Sequence, residues 1–418
     1  MRVKLRHKIT TAVVSPFFSL FARLRYKFVA EPFDYNLIKG PYLIVSNHTT
    51  DLDALFLALC FKEPIYFVTN DHLFRLGFIS KVMSFLSSPI PILKSTSDIK
   101  TIRDIRTLVA DGGSIGLFPE GNRTYNGSST YISVATGKLA KLLKIPIVIY
   151  NLEGGYLTSP RWSSSDRRGT LKYSFKRMLP YDTYRNLSPE ELTELIRCDL
   201  YTEAPETLKD LKLLAPKLKF RGKNLAENLE RLLYKCPICQ SYITITSKGD
   251  EGGCSACGLS FKFTEEGYLS GNNLPFNRVL DWDLWQRADL NKNGLPKRPG
   301  LGPELGHFSD EAEPFFEDHG ETLYEVLRAE KSIKMGEGRL AMYQDRLVFT
   351  SAAGLKTFYL SDIIDMVIYG RQNLQFSLRE GKTFVFKNQK PRSALKYVYH
   401  YYYLRQKKRG EMNGFLGF

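Results

Sequence analysis

The stretch YLIVSNHTTDLDAL (Tyr42 to Leu55) opens as a short apolar run and ends abruptly in Ser46, Asn47, His48 and two acids, Asp51 and Asp53. Its first four residues are an apolar run that reads as a short strand. The apolar DALFLALCF that follows reads as a helix. His48 and the two acids then lie where a strand ends and a helix begins. In parallel α/β sheets this is the edge where functional residues gather. Ser46 or Asn47 can equally cap the helix, with the acids favouring its positive end, and the stretch alone leaves both readings open.

The same strand and helix rhythm continues to about residue 200. Strands read at PIYFVTN, PIPIL, SIGLFPEG and PIVIYNLEG, and helices at HLFRLGFISKVMSFL, IKTIRDIRTLVADGG and VATGKLAKLLK. In the second of these helices Ile102, Ile105, Leu108 and Val109 are expected on one face, and Gly112-Gly113 supplies a left-handed stop. Such alternation predicts an α/β domain with a mostly parallel sheet flanked by helices.

The chain has 418 residues, enough for two to three domains, and 59 basic against 44 acidic residues give a formal charge of +15. That excess suits an anionic partner: lipid headgroups, phosphorylated substrates or nucleic acid. The first thirty residues hold Arg2, Lys4, Arg6, Lys8, Arg23, Arg25 and Lys27 and no acid, around the apolar TAVVSPFFSLFARL. This piece is too short and too interrupted to span a bilayer, and no small-residue cleavage site follows it. It reads as an interfacial segment lying on an anionic membrane.

Cys236, Cys239, Cys254 and Cys257 form two Cys-x-x-Cys pairs separated by fourteen residues. This is close to the spacing of a four-thiolate zinc ribbon, whose closed shell is structural rather than catalytic. Cys60 and Cys198 read as packing residues. Reduced thiols imply a reducing compartment. Nucleic acid is disfavoured as a partner because the span from Cys236 to Cys257 holds a single lysine, Lys248, beside Asp250 and Glu251.

A second strand end is rich in chemistry. In LFPEGNRTYNG (Leu117 to Gly127) an apolar strand breaks at Pro119 and delivers Glu120, Gly121, Asn122 and Arg123 into a loop. His48 and Asp53 make HxxxxD, and FPEGNRT follows about sixty-five residues after Asp53. Together they resemble the first and third blocks of the glycerophospholipid acyltransferase family, which includes the lysophosphatidate acyltransferases. PIVIYNL (Pro146 to Leu152) is similar to the fourth block, and PIPILKS offers Lys94 where the second block commonly has an arginine. The resemblance covers roughly the first 210 residues.

Five residues of a regular helix would set His48 and Asp53 about 140° apart, on different faces. His48 is therefore expected in the entry loop, with the helix starting around Thr50 or Asp51 and the imidazole folded back onto Asp53. This is the base and orienter of a triad whose nucleophile is the acceptor's own hydroxyl. Asp51 is the rival orienter; the family pattern favours Asp53. The resemblance implies direct acyl transfer from a thioester, acyl-CoA or acyl carrier protein, to a lysophospholipid. His48 and Asp53 would be catalytic. Glu120, Gly121, Asn122, Arg123 and Lys94 would bind the acceptor, Arg123 through its phosphate. Lysophosphatidate giving phosphatidate is the expected reaction; glycerol 3-phosphate, another lysophospholipid, or a non-catalytic membrane adaptor are the alternatives. The expected location is the cytoplasmic face of the cell membrane.

The remainder divides by composition. The expected boundaries are 1–30 for the membrane segment, 31–205 for the acyltransferase domain, 206–234 for a helical connector, 235–270 for the zinc ribbon, 271–318 for a linker and 319–408 for a last domain. GRLAMYQD, RLVFTS, KTFYLS, IIDMVIYG, NLQFSLRE and KTFVFKN read as strands, followed by a helix in PRSALKYVYHYYYLRQ. That order resembles a pleckstrin-homology-like or GRAM-like domain, with the tyrosines packing on the sheet.

Overall fold

A computed structural model describes residues 3–70, 88–92, 99–205, 218–294, 313–327 and 332–409, and the chain divides into two compact units. The first comprises Met1–Leu225 with Phe263–Tyr268, the second Ala226–Lys262 with Leu269–Phe418. Lys94 and the apolar segment beginning at His72 lie outside the described residues.

The first unit is built on seven strands: β1 (Phe28–Ala30), β2 (Leu43–Ser46), β3 (Ile65–Asn70), β4 (Ile90–Ile92), β5 (Ser114–Leu117), β6 (Ile147–Glu153) and β7 (Leu171–Leu179). They lie in the order β1-β7-β6-β2-β5-β3-β4. The strands from β6 through β4 run parallel, and β7 turns back antiparallel to β6 with β1 parallel to it. The sheet is therefore parallel-rich, as expected. β1 and β7 were not legible as strands: β1 is three residues long, and β7 alternates with lysines and an arginine.

Helices cover both faces of this sheet. On one, Leu43, Val45, Ile115, Ile147 and Ile149 pack against α3 (Ile99–Ala110), α4 (Ala135–Leu143) and α7 (Pro189–Leu200) through Ile105, Leu108, Ala140, Leu143, Leu192 and Ile196. On the other, Ile44, Val148, Tyr150, Leu171 and Tyr173 meet α1 (Leu5–Tyr26) and α2 (Asp53–Ala58) through Ala22, Tyr26, Phe56 and Leu57. Burial from both sides explains why β2 reads as an unbroken apolar run. Two short helices, α5 (Gly155–Thr158) and α6 (Tyr181–Tyr184), complete the unit.

Two sequence expectations are corrected here. Ile102 is exposed, and Thr101, one turn before Ile105, takes its place in the core and donates to the Pro91 carbonyl at 2.7 Å. Cys198 is exposed on α7, with Sγ near Glu194, whereas Cys60 is buried.

The second unit holds a four-stranded antiparallel sheet of β8 (Ile245–Lys248), β9 (Glu251–Cys254), β10 (Ser260–Phe263) and β11 (Leu269–Ser270), ordered β11-β10-β9-β8. It also holds a seven-stranded sheet, ordered β15-β14-β13-β12-β18-β17-β16, whose neighbours are all antiparallel. Its strands are β12 (Phe316–Val326), β13 (Ser332–Met342), β14 (Arg346–Ser351), β15 (Gly354–Tyr359), β16 (Ile363–Tyr369), β17 (Asn373–Leu378) and β18 (Thr383–Asn388). Helix α9 (Leu395–Arg409) follows, with Tyr397, Tyr399, Tyr401, Tyr402 and Tyr403 all buried. Asp318 on β12 accepts from Lys396 Nζ at 2.7 Å and Tyr397 Oη at 2.8 Å, which satisfies the charges α9 buries.

The connector and linker readings also need correction. Where described, the supposed helical connector is a loop with one 3-10 turn at Leu229–Arg231, and Asn224 and Asn228 adopt left-handed backbone. Its leucines are buried one by one at Leu225, Leu229, Leu232 and Leu233 rather than along a helical stripe. The supposed linker contains a 15-residue helix, α8 (Val279–Asn293), whose Trp282 and Gln286 are buried. Its polar-looking sequence hides it, because the buried residues include Asp283 and Gln286, each held by hydrogen bonds.

Candidate active site

Pairing of β2 with β5 aligns Val45 with Leu117, so the two strands end side by side. The loops that leave them are tied together: Thr124 N donates to the His48 carbonyl at 2.9 Å. On the other side, Asn47 clamps β2 to β6, donating to the Leu152 carbonyl at 3.0 Å and accepting from Leu152 N at 2.8 Å. Asn47 and Ser46 are thus fully committed to holding the strand end and cap no helix.

Helix α2 begins at Asp53, slightly later than expected, because the Asp53 carboxylate itself organises the turn before it. It accepts from Thr49 N at 2.5 Å, Thr50 N at 2.9 Å and Thr50 Oγ1 at 2.5 Å. The same wholly buried carboxylate meets His48 Nδ1 at 2.8 Å. The contact assigns the proton to Nδ1 and leaves Nε2 as the acceptor nitrogen. Among the described residues Nε2 has no hydrogen-bond partner, and the His48 side chain keeps 24% of its surface accessible. Its ring stacks on Phe118 at 4.7 Å between centroids and 24° between planes. Phe118 in turn stacks on Phe67 at 5.8 Å. A base held by a buried acid on one nitrogen and open on the other can accept a proton from a bound hydroxyl.

The Phe118–Arg123 loop supports this geometry from below. Glu120 Oε1 accepts from His48 N at 3.0 Å, and Oε2 accepts from Thr130 N at 2.8 Å and Thr130 Oγ1 at 3.1 Å. Both oxygens are hydrogen-bonded within the protein, so Glu120 sets the shape of the loop. Burial raises its carboxyl to about 7, against the lowering effect of the Thr130 and His48 amides. Gly121 sits at φ +68 with open space where a Cβ would be, and its N–H turns back to the Phe118 carbonyl. Asn122 is half-buried in the same turn.

Arg123 is almost fully buried, with Nη1 3.0 Å from Asp51 Oδ2 on an otherwise exposed side chain. Nη1 has the distance of an ion pair to Asp51 without hydrogen-bond alignment, so this buried donor makes no hydrogen bond. The two acids after His48 are therefore separated in use: Asp53 holds the imidazole and Asp51 neutralises Arg123.

Several residues of the site carry no sequence motif. Arg161, fully buried, donates to the Arg123 carbonyl at 3.2 Å and lies over the Tyr125 ring at 4.7 Å. Tyr173 on β7 accepts from Ser46 Oγ at 3.2 Å and donates to the Asp53 carbonyl at 3.4 Å. Both come from distant segments, and only β7 pairing and the α5 turn bring them in. The N–H groups of Thr49 and Thr50, nearest His48 in sequence, both point at Asp53 and are taken.

The description "Acyltransferase" belongs to the family model that matches residues 27–151, a span that includes β2, α2 and the whole Phe118–Arg123 loop. A similar curated protein is the 1-acyl-sn-glycerol-3-phosphate acyltransferase of Borreliella burgdorferi, 25% identical over 181 residues, or 41% of this chain and 68% of that one. Among solved structures, the 1-acyl-sn-glycerophosphate acyltransferase PlsC from Thermotoga maritima aligns with 50% of this chain and 82% of its own, at 18% identity and a TM-score of 0.40. At that TM-score the likeness is too loose to bear on the site. The family and sequence matches support an acyltransferase domain in the part of the chain that carries the site.

Proposed function

We propose that the chain is an O-acyltransferase that moves a fatty acyl group from a thioester donor to the free hydroxyl of a lysophospholipid, with lysophosphatidate as acceptor and phosphatidate as product. The observation that carries this reading is the His48–Asp53 pair: Nδ1 locked at 2.8 Å on a buried carboxylate, Nε2 open. His48 Nε2 takes the acceptor hydroxyl's proton as its oxygen attacks the thioester carbonyl. The tetrahedral intermediate collapses with cleavage of the carbon–sulfur bond, and the imidazolium returns the proton to the departing thiolate. Asp53 stabilises the imidazolium between the two steps, and no acyl-enzyme is required.

Arg123 Nη1, ion-paired to Asp51 but without an aligned hydrogen bond, supports a phosphate-bearing acceptor. An anion arriving there exchanges a single exposed carboxylate partner for charge-assisted bonds. Thr124, next in the chain, ties this loop to His48, so acceptor binding and base are set by one piece of backbone.

The reaction takes place at a membrane surface in this account. Helix α1 exposes Leu5, Ile9, Val13, Val14, Phe17, Leu20, Phe21 and Leu24 along one side, with Lys4, Arg6 and Lys8 at one end and Arg23, Arg25 and Lys27 at the other. Such a helix lies in the headgroup region of an anionic bilayer. No helix among the described residues is long and apolar enough to cross a membrane. Phe18 packs on Phe56 at 5.5 Å, which anchors α1 on the helix whose first residue is Asp53.

The test is product analysis with purified full-length chain on anionic vesicles, offering lysophosphatidate, glycerol 3-phosphate and lysophosphatidylcholine, each with acyl-CoA and with acyl carrier protein as donor. The expected result is phosphatidate from lysophosphatidate, absent with His48→Ala. Transfer only to glycerol 3-phosphate or lysophosphatidylcholine would overturn the acceptor; no product with any pair would favour a non-catalytic role for the scaffold.

A further inference from the structure

Cys236, Cys239, Cys254 and Cys257 place their four Sγ atoms within 4.8 Å of one another, two of them buried. Sγ of Cys236 lies 3.7 Å from that of Cys257, and Sγ of Cys239 lies 3.7 Å from that of Cys254. A disulfide would require about 2.05 Å. A tetrahedral ion with metal–sulfur bonds of about 2.3 Å sets its ligands about 3.8 Å apart. The two closest pairs have the spacing of ligands around one ion, and the remaining sulfurs stay within 4.8 Å of them.

The backbone makes the same point independently. After the first pair, Gln240 adopts φ +63 and donates its N–H to the Cys236 carbonyl at 3.1 Å. After the second, Gly258 adopts φ +75 and donates to the Cys254 carbonyl at 3.0 Å. Two unrelated tetrapeptides thus fold into the same turn, each aiming two sulfurs at one point. A non-glycine residue in that backbone region is uncommon, so the turn at Gln240 is held by something beyond its own preference.

We propose that these four thiolates bind one Zn²⁺, and that the ion fixes the preceding Tyr234–Lys235 segment against α8. Thiolate softness and tetrahedral geometry favour zinc among divalent ions, and four protein ligands leave no position for catalysis. Thr244 Oγ1 lies 3.1 Å from Cys254 Sγ and supplies a hydrogen bond to the thiolate. The coupling to α8 is direct. Gln286 Oε1 accepts from Tyr234 N at 2.7 Å and Lys235 N at 3.0 Å, and Trp282 Nε1 donates to the Lys235 carbonyl at 2.9 Å. Those are the last two residues before the first ligand. Trp282 also meets the Phe261 ring of β10 edge-on at 5.6 Å. Losing the ion frees the knuckle, and with it the Tyr234–Lys235 segment that α8 grips.

The purified full-length chain, prepared under reducing conditions, should contain one zinc per chain by elemental analysis. Cys254→Ser combined with Cys257→Ser should retain under a tenth of that, with faster hydrogen exchange in residues 234–239 and α8. A second measurement needs no variant: exchange of the native ion for Co²⁺ should give the sulfur-to-cobalt charge-transfer and visible bands of a tetrahedral thiolate site. Absence of metal with all four thiols titrating freely would overturn the proposal, as would bound iron, or an intact mass showing disulfides within the cluster. Zinc binding with unchanged exchange in α8 after removal would overturn the coupling. These readouts involve no acyl transfer, so their outcome is separate from that of the proposed activity.

Discussion

The imidazole of His48 is defined by what holds it, and each support makes a separate prediction. Asp53 is wholly buried and gathers the His48 ring and the two threonine amides. Asp53→Asn should lower kcat about a thousandfold or more by upsetting the tautomer, with a smaller change in KM. Arg123→Met should act the other way, raising KM for a phosphate-bearing acceptor roughly tenfold to a hundredfold with kcat less affected. Equal losses in both parameters would remove Arg123 from acceptor binding. Glu120 gives a pH test. Its buried carboxyl is raised to about 7 from 4.5, so between those values the folded chain keeps a proton that the unfolded chain has released. The stability this contributes is full below pH 4.5 and is lost as pH rises through about 7. Glu120→Gln cannot titrate, so its unfolding midpoint should improve relative to the parent as pH rises from about 4.5 to about 8; a constant gap would contradict the assignment. His48, Asp53 and Arg123 were legible because their types and spacing are local. Arg161 and Tyr173 were not, because neither has any pattern until β6, β7 and the α5 turn fold beside β2.

At the scale of elements, the first unit depends on how closely two of its helices approach each other. Gly137 on α4 faces α7 with no room for a side chain: an added Cβ would lie 2.1 Å from the Pro189 carbonyl and 2.6 Å from Thr193 Oγ1. Gly137→Ala should therefore destabilise the first unit by about 1–3 kcal/mol, read as a lowered denaturant midpoint, despite alanine's higher helix propensity. Helix α7 starts at a Ser188–Glu191 capping box, a start signal that is local to the sequence SPEE. By contrast α8 was missed, since a helix buried through Asp283, Gln286 and Trp282 shows no apolar stripe. Residues 218–234 show the converse error: Leu225, Leu229, Leu232 and Leu233 are buried by a loop, as Asn224 and Asn228 turn the chain left-handed.

For the molecule as a whole, charge and apolar surface converge on α1. Among the described residues of the first unit, its exposed apolar side with basic residues at both ends has the character of a bilayer-interface helix. Phe17→Glu together with Leu20→Glu should weaken sedimentation with anionic vesicles roughly a hundredfold, while turnover of a short-chain soluble acceptor falls much less. Binding unchanged by the pair would remove α1 as the membrane contact. The parallel-rich sheet was legible from alternating segments and β13 to β18 from their strand-sized apolar runs, whereas β12 and the short strands β8 to β11 were not read from the sequence. The inclusion of Phe263–Tyr268 in the first unit was not, because it depends on contacts such as the Phe220 amide to the Glu265 carbonyl at 2.7 Å, which no local pattern announces.

The central claim is that His48 is the base for transfer to a lipid hydroxyl. The most direct measurement is single-turnover release of thiol from acyl thioester on anionic vesicles, with and without lysophosphatidate, comparing the parent chain with His48→Gln. The account predicts thiol released one for one with phosphatidate, only when the acceptor is present, and a rate about a thousandfold lower in the variant. Release and transfer at parental rates in His48→Gln, or thiol release independent of acceptor, would contradict it.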